Sequence, residues 1–182
     1  MKIIETDIPE IKVLEPAVFS DERGYFLETW NANTFAKAGL NWQFVQDNHS
    51  RSHKNVLRGL HYQIQNTQAK LVRVVAGAVF DVAVDVRRGS STFGRWVGVE
   101  LSATNHRMLW IPAGFAHGFL SLCDNTDLVY KCTDVYASQH ERTIVWNDPN
   151  LAIAWPLQIG QTALLSPKDA GGDRFECADV FA

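Results

Sequence analysis

The run Arg58-Gly59-Leu60-His61-Tyr62-Gln63, with Lys70 just downstream, sets a guanidinium, an imidazole, a phenol and an ammonium close together in the chain. His117 adds a second imidazole after Pro112-Ala113-Gly114. Imidazole titrates near neutrality and so can act as a base at physiological pH. Cations beside such a base suit the removal of a proton next to a carbonyl, with the resulting negative charge held by the positive groups.

Each of these residues also has a plainer reading. In an extended segment, side chains two apart share a face, so His61 points with Gly59 and Gln63 while Arg58, Leu60 and Tyr62 point the other way. Only a bend or bulge at Gly59 brings Arg58 and His61 into one pocket. Taken alone, the hexapeptide reads more readily as a hydrogen-bonded structural histidine than as a catalytic one. Lys70, at the start of an apolar run, fits a solvated strand end. His117 fits either a tight connection presenting its side chain or a turn with a structural imidazole. Tyr130 shares a face with Leu128 and Cys132 and is either core or a proton donor. Asp169 alone is a surface loop acid. Arg23, ahead of Tyr25, Phe26 and Glu28, opens either an ordinary strand or a nucleotide contact.

The elements that must position these groups are mostly short strands. Along 79–86, Phe80, Val82, Val84 and Val86 alternate with Val79, Asp81, Ala83 and Asp85, a period of two. Val97, Val99 and Leu101 repeat the pattern, and 109–111, 119–122 and 126–133 are further strands. Turn residues at Gly77, 88–91, 124–125 and 147–149 separate them. One segment, Asn33 to Gly39, has a cap, helix formers and a terminal glycine. Many short strands with little helix predict an all-β sandwich or barrel of jelly-roll type. We expect one domain over residues 1–182, with the chain from about Asn150 wrapping the barrel.

Composition narrows the class. The 182 residues are 46% hydrophobic and 20% charged, with a formal net charge of −3, values ordinary for a globular protein. Nothing here is basic enough for a bulk nucleic-acid binder, so anions must be caught by local cations. No apolar run approaches the roughly 20 residues that span a bilayer. The opening residues lack the apolar core of a signal peptide. Cys123, Cys132 and Cys177 are odd in number and lack a C-x-x-C pair, which argues against disulfides and thiolate zinc. The expectation is a cytoplasmic protein with reduced thiols, Cys123 and Cys132 serving as buried strand filler.

Taken together the motifs resemble the dTDP-4-dehydrorhamnose 3,5-epimerase family, a branch of the cupin superfamily. The stretches that carry the resemblance are Asp21-Glu22-Arg23-Gly24, Phe44 to Ser50, Val56 to Gln63, Lys70 to Arg73, Val79 to Asp85, Phe93-Gly94, Leu109 to Phe119, Tyr130 to Thr133 and Trp155-Pro156-Leu157. They cover nearly the whole chain, in order. The resemblance implies a cupin-type jelly roll with a few short helices, working as a homodimer without metal or organic cofactor. It implies inversion at C3 and C5 of dTDP-4-dehydro-6-deoxy-D-glucose, giving dTDP-4-dehydro-L-rhamnose. By the same analogy His61 is the base, Asp169 the carboxylate orienting it, Tyr130 the acid on the opposite face and Lys70 the enolate-stabilising cation. Arg23, Phe26, Glu28, Gln46, Asn48, Arg58, His117, Glu141 and Lys168 match nucleotide-sugar contacts, and Tyr136 the aromatic stacked on thymine.

The chemistry is coherent on its own terms. Both inverted carbons flank a ketone, an ammonium stabilises the enolate, and inversion requires a base and an acid on opposite faces of the ring. One departure from metal-binding cupins is informative. Their H-x-H motif reads His61-Tyr62-Gln63 here, leaving too few ligands for zinc or iron. Three alternatives stay open: an epimerase acting at C3 or C5 alone, a metal-dependent cupin, and a non-catalytic sugar-nucleotide binder.

Overall fold

The fold is described from a computed structural model covering residues 1–182. Thirteen strands carry it. The first four are β1 (Lys2–Glu5), β2 (Lys12–Glu15), β3 (Val18–Asp21) and β4 (Gly24–Leu27). Helix α1 (Ala32–Lys37) separates them from β5 (Gln46–Ser52), β6 (Leu57–Gln63), β7 (Lys70–Ala76), β8 (Ala78–Asp85) and β9 (Trp96–Ser102). Then come β10 (Met108–Ile111), β11 (Phe115–Ser121), β12 (Thr126–Cys132), β13 (Glu141–Thr143) and the one-turn helix α2 (Pro167–Ala170). The strands form a six-stranded sheet, β1-β2-β10-β7-β12-β5, a five-stranded sheet, β13-β6-β11-β8-β9, and a separate β3-β4 hairpin. Every strand pair is antiparallel. This is the all-β jelly-roll architecture that the strand pattern predicts.

The main core lies between the sheets. Val72, Val74, Leu109, Ile111 and Leu128 of the six-stranded sheet meet Val79, Ala83, Val97, Leu101, Phe115 and Phe119 of the five-stranded one. Strand β8 shows why its alternation carried acids on one side and only apolar groups on the other. Val79 and Ala83 face the inter-sheet core, whereas Val82 and Val84 face outward. That outer face is also buried, because the chain beyond residue 150 lies over it through Leu151, Trp155, Phe175, Ala178 and Phe181. Hydrogen bonds fasten the tail: Trp96 Nε1 donates to Leu151 O (3.0 Å) and Tyr62 Oη to Asp179 O (2.7 Å). The outer face of the six-stranded sheet is covered by the α1 region, where Trp42 stacks on Trp110 at 3.4 Å between ring centroids.

Three local expectations are corrected. Helix α1 is capped by Asn31 rather than Asn33, its side chain accepting from the Asn33 and Thr34 backbone N–H groups. His117 sits in the middle of β11, since the turn is confined to residues ahead of Phe115 and the strand resumes at once. Cys123 is exposed beyond the end of β11, whereas Cys132 is buried as expected; all three cysteines are free thiols.

Candidate active site

His61 and His117 face each other across neighbouring strands, paired in register between β6 and β11. Two residues further along β11 the register has slipped: Phe119 pairs with Arg58, three residues from His61, so β6 carries an extra residue at Gly59-Leu60. This is the bulge that strict alternation required. It turns Arg58 to the same side as His61, because its partner Phe119 and His61's partner His117 both lie on the inward face of β11. The glycine has a steric cause. Gly59 has φ +127°, and a Cβ there would run into Gly118 Cα and approach His117 O at 2.7 Å. Two strands meet so closely that neither tolerates a side chain at the contact.

Asp169 is drawn into the same place from over one hundred residues away. Ser166 caps α2 by accepting from the Asp169 N–H, and Pro167 occupies the first turn, the usual logic of a short helix start. The carboxylate, only 3% exposed, is thereby delivered to β6. His61 Nε2 lies 2.6 Å from Asp169 Oδ1, which also accepts from Gly59 N at 3.1 Å. Ser166 Oγ donates to the other carboxylate oxygen at 2.6 Å. Burial raises the Asp169 pKa, but the donors His61, Ser166 and Gly59 outweigh it and hold the group well below the usual carboxylate range. An ionised Asp169 must accept the Nε2 proton. The neutral imidazole then carries its lone pair on Nδ1, which has no partner in the protein. Burial depresses the His61 pKa, Asp169 opposes that, and the cations Lys168 and Lys70 add to the depression. The imidazole is therefore neutral and able to accept a proton near pH 7.

The opposite wall belongs to the six-stranded sheet. Lys70 and Tyr130 sit on adjacent strands β7 and β12, with Nζ 5.9 Å from the tyrosine ring centroid. Burial lowers the Lys70 pKa, against neighbouring Cys132, Asp81 and Glu141. Burial also raises that of Tyr130, helped by Cys132 and Glu141 and opposed by Arg58. His61, Lys70, Tyr130, Tyr136 and Glu141 line one pocket. The His117 ring stands edge-on to Tyr130 at 6.5 Å, and its Nε2 lies 2.9 Å from the fully buried Asp81 carboxylate. Asp81 escaped the sequence reading, although a carboxylate on the core face of an apolar strand signals a buried partner.

Other predicted residues gather around the mouth. On β5, Gln46 and Asn48 face inward and bond to each other (3.1 Å), while Asp47 and His49 are exposed. Arg58 is held by Ser52 Oγ and the Arg51 carbonyl, both at 3.2 Å. Tyr136 donates to Glu141 and Lys168 Nζ donates to the other Glu141 oxygen, each at 2.9 Å. Burial raises the Glu141 pKa, but these two partners bring it below its ordinary value. Three predicted residues lie apart. Arg23 pairs with Asp21 on the β3-β4 hairpin, Phe26 beside it is 68% exposed, and Glu28 accepts from Asn31 and Thr34 at the start of α1. None of the three lines the pocket of its own chain. No group of three or more His, Cys, Asp or Glu side chains converges as metal ligands; the imidazoles and Gln63 instead bond to carboxylates and backbone.

The family model for dTDP-4-dehydrorhamnose 3,5-epimerase matches residues 5–176. The chain is 57% identical to the dTDP-4-dehydrorhamnose 3,5-epimerase of Pseudomonas aeruginosa, covering 100% of this chain and 99% of the relative. Among solved structures, the dTDP-6-deoxy-D-glucose-3,5-epimerase of Legionella pneumophila in complex with dTDP-4-keto-L-rhamnose superposes with a TM-score of 0.93 at 55% identity, covering 97% and 93% of the two chains. A 3′-monoepimerase from Streptomyces bikiniensis in complex with dTDP-quinovose superposes with a TM-score of 0.88 at 38% identity, covering 94% and 87%.

Proposed function

The chain belongs to the dTDP-4-dehydrorhamnose 3,5-epimerase family, and from that premise we propose that it inverts C3 and C5 of dTDP-4-dehydro-6-deoxy-D-glucose to give dTDP-4-dehydro-L-rhamnose. The observation that carries the reading is the His61–Asp169 pair, at 2.6 Å, on a pocket whose other wall holds Lys70 and Tyr130. His61 Nδ1 takes the proton from a carbon beside the C4 ketone, and Asp169 stabilises the imidazolium that forms. The electron pair moves onto the ketone oxygen as an enolate, which the Lys70 ammonium stabilises in a pocket poor in water. The Tyr130 hydroxyl returns a proton from the other sheet, hence to the opposite face, as the enolate collapses to the ketone; His61 then releases its proton to solvent, the tyrosinate takes one up, and the sequence repeats at the second carbon. Arg58, Lys168 and His117 supply positive or hydrogen-bonding groups for the diphosphate and sugar, with Gln46, Asn48 and Glu141 as polar contacts and Tyr136 beneath the base. No step calls for a cofactor.

We further propose a cytoplasmic homodimer formed by one domain spanning the chain. Three free thiols support a reducing compartment. Phe19, Tyr25 and Phe26 are each more than half exposed on the hairpin that carries Arg23, an apolar surface suited to a second copy. Arg23, Phe26 and Glu28 would then serve the partner's pocket rather than their own.

The test is NMR of the product formed from the dTDP-4-keto sugar in D2O. Deuterium at both C3 and C5 with inversion at both is expected. Label at C3 alone would support the monoepimerase alternative, which the lower identity to the monoepimerase disfavours. Binding without any exchange would leave only a binder. Loss of exchange to a chelator, with stoichiometric metal in the protein, would overturn the mechanism.

A further inference from the structure

The loop between β12 and β13 crosses from one sheet to the other at the pocket mouth, and its backbone is held by glutamine side chains. Gln63, 5% exposed, donates from Nε2 to Asn66 O at 2.6 Å and to Val135 O at 3.3 Å. Its Oε1 accepts from Ala137 N at 2.9 Å. The residue between, Tyr136, has its own N–H bonded to Gln46 Oε1 at 2.8 Å. Gln68 Nε2 donates to Asp134 O at 2.9 Å. Four consecutive residues, 134 to 137, thus each have a backbone group fixed by a glutamine. Within the loop itself, little else is available: Asp134 Oδ1 accepts from Val135 N, and Ala137 O from His140 N. The shape of this segment is imposed from outside, by side chains of β5, β6 and the chain ahead of β7.

We propose that Gln63 is a positioning residue for Tyr136, clamping the carbonyl before it and the N–H after it so that the ring stands ready as the platform for the nucleobase. The inference rests on the epimerase reading of the pocket. An amide is required at this position. Gln63 donates to two carbonyl oxygens and accepts from one N–H, which a carboxylate cannot do, because an ionised glutamate has no proton to donate and would face those oxygens as an anion. The ring is 52% exposed, and its hydroxyl is tied through Glu141 to Lys168, the neighbour of Asp169 in α2. A platform fixed in advance does not have to be ordered when the ligand arrives, so the clamp contributes to affinity for the base rather than to the proton transfer.

The experiment compares wild type, Gln63→Met, Tyr136→Ala and the double variant. Calorimetry measures dTDP and inorganic pyrophosphate binding, and deuterium uptake from D2O into the dTDP-4-keto sugar gives KM and kcat. Gln63→Met should weaken dTDP about tenfold, the size of a lost base-stacking contact, and pyrophosphate less than about twofold on the same scale. KM should rise by a similar factor while kcat falls less than about threefold. Tyr136→Ala should give a comparable loss, and the double variant should lose no more than either single one. Multiplying losses, a parallel loss of pyrophosphate, or a fall in kcat at constant KM would each overturn the proposal. If Gln63→Met does not fold, Gln68→Met tests the same clamp from a half-buried position. It should show a smaller loss confined to dTDP, and unchanged dTDP affinity would overturn the idea. Absence of exchange in wild type, together with a dTDP-specific loss in Gln63→Met, would overturn the epimerase reading and support the clamp.

Discussion

Replacing Asp169 by asparagine removes a charge while leaving the shape of the site. The side-chain oxygen can still accept from His61 and Gly59 N, which both contact Oδ1, and the new amide can face Ser166 Oγ. What disappears is the anion beside a proton-accepting imidazole that already feels the cations Lys168 and Lys70. A hydrogen bond to a buried charged partner contributes about 1.5–3 kcal/mol, against about 1 for a neutral one. The imidazolium formed in the reaction also loses its counter-charge. A combined loss of about 2–3 kcal/mol from the transition state corresponds to an exchange rate lower by about 30–150-fold. The assay is initial deuterium uptake into the dTDP-4-keto sugar across pH 5–9, with dTDP affinity as control. Asp169 raises the His61 pKa in the native protein, so the variant's pKa falls. Base activity requires neutral imidazole, and the acid limb of the rate profile must therefore move to lower pH while its plateau drops. A plateau within about threefold of wild type (under about 0.7 kcal/mol), or an acid limb displaced upward, would refute the role of Asp169.

Three further outcomes are expected. Tyr130→Phe should reduce inversion more than proton abstraction, so that deuterium enters with retained configuration; equal loss of both, followed by NMR, would remove Tyr130 as the returning acid. Gly59→Ala forces a side chain into Gly118 and His117 O at φ +127°. A cost of about 2–3 kcal/mol should lower the melting midpoint by about 5–10 °C, and an unchanged midpoint would contradict the close approach of β6 and β11. Asp85 is buried, which raises its pKa, but donors from Arg87, Ser90 and Thr92 bring it down to about 2. Its folded value lies below the unfolded one of about 3.9, so its stabilisation is present above pH ~4 and lost as pH falls toward 2. Asp85→Asn should be less stable at neutral pH and lose less between pH ~4 and 2, and denaturant midpoints that track wild type across that range would refute the assignment.

The strands were legible because they are short, alternating and separated by turn residues. Strand β8 illustrates both the strength and the limit of that signal. Its two faces were separable by period, yet both turned out buried, since an irregular tail covers the outer one through Trp155, Phe175 and Phe181. Periodicity reports what faces a neighbour, and it does not identify a neighbour that has no period of its own. Helix α2 was missed for a related reason. A four-residue helix has no hydrophobic stripe, and Ser166-Pro167 followed by Asp169 is its only trace in the sequence.

The site was legible as chemistry before it was legible as geometry. Strict alternation set Arg58 and His61 on opposite faces, and Gly59 was the residue that could cancel it; the bulge does so because Gly118 on the next strand is also a glycine. Neither glycine explains the other until the strands are paired. Asp169 read as a surface acid because nothing near it in sequence suggests burial, and its desolvation is offset by donors from β6 and Ser166. Gln63 shows the same dependence most sharply. Its sequence position spoke only against a metal ligand, whereas its amide satisfies a loop seventy residues away. Residues whose role is to satisfy distant backbone have no local signature.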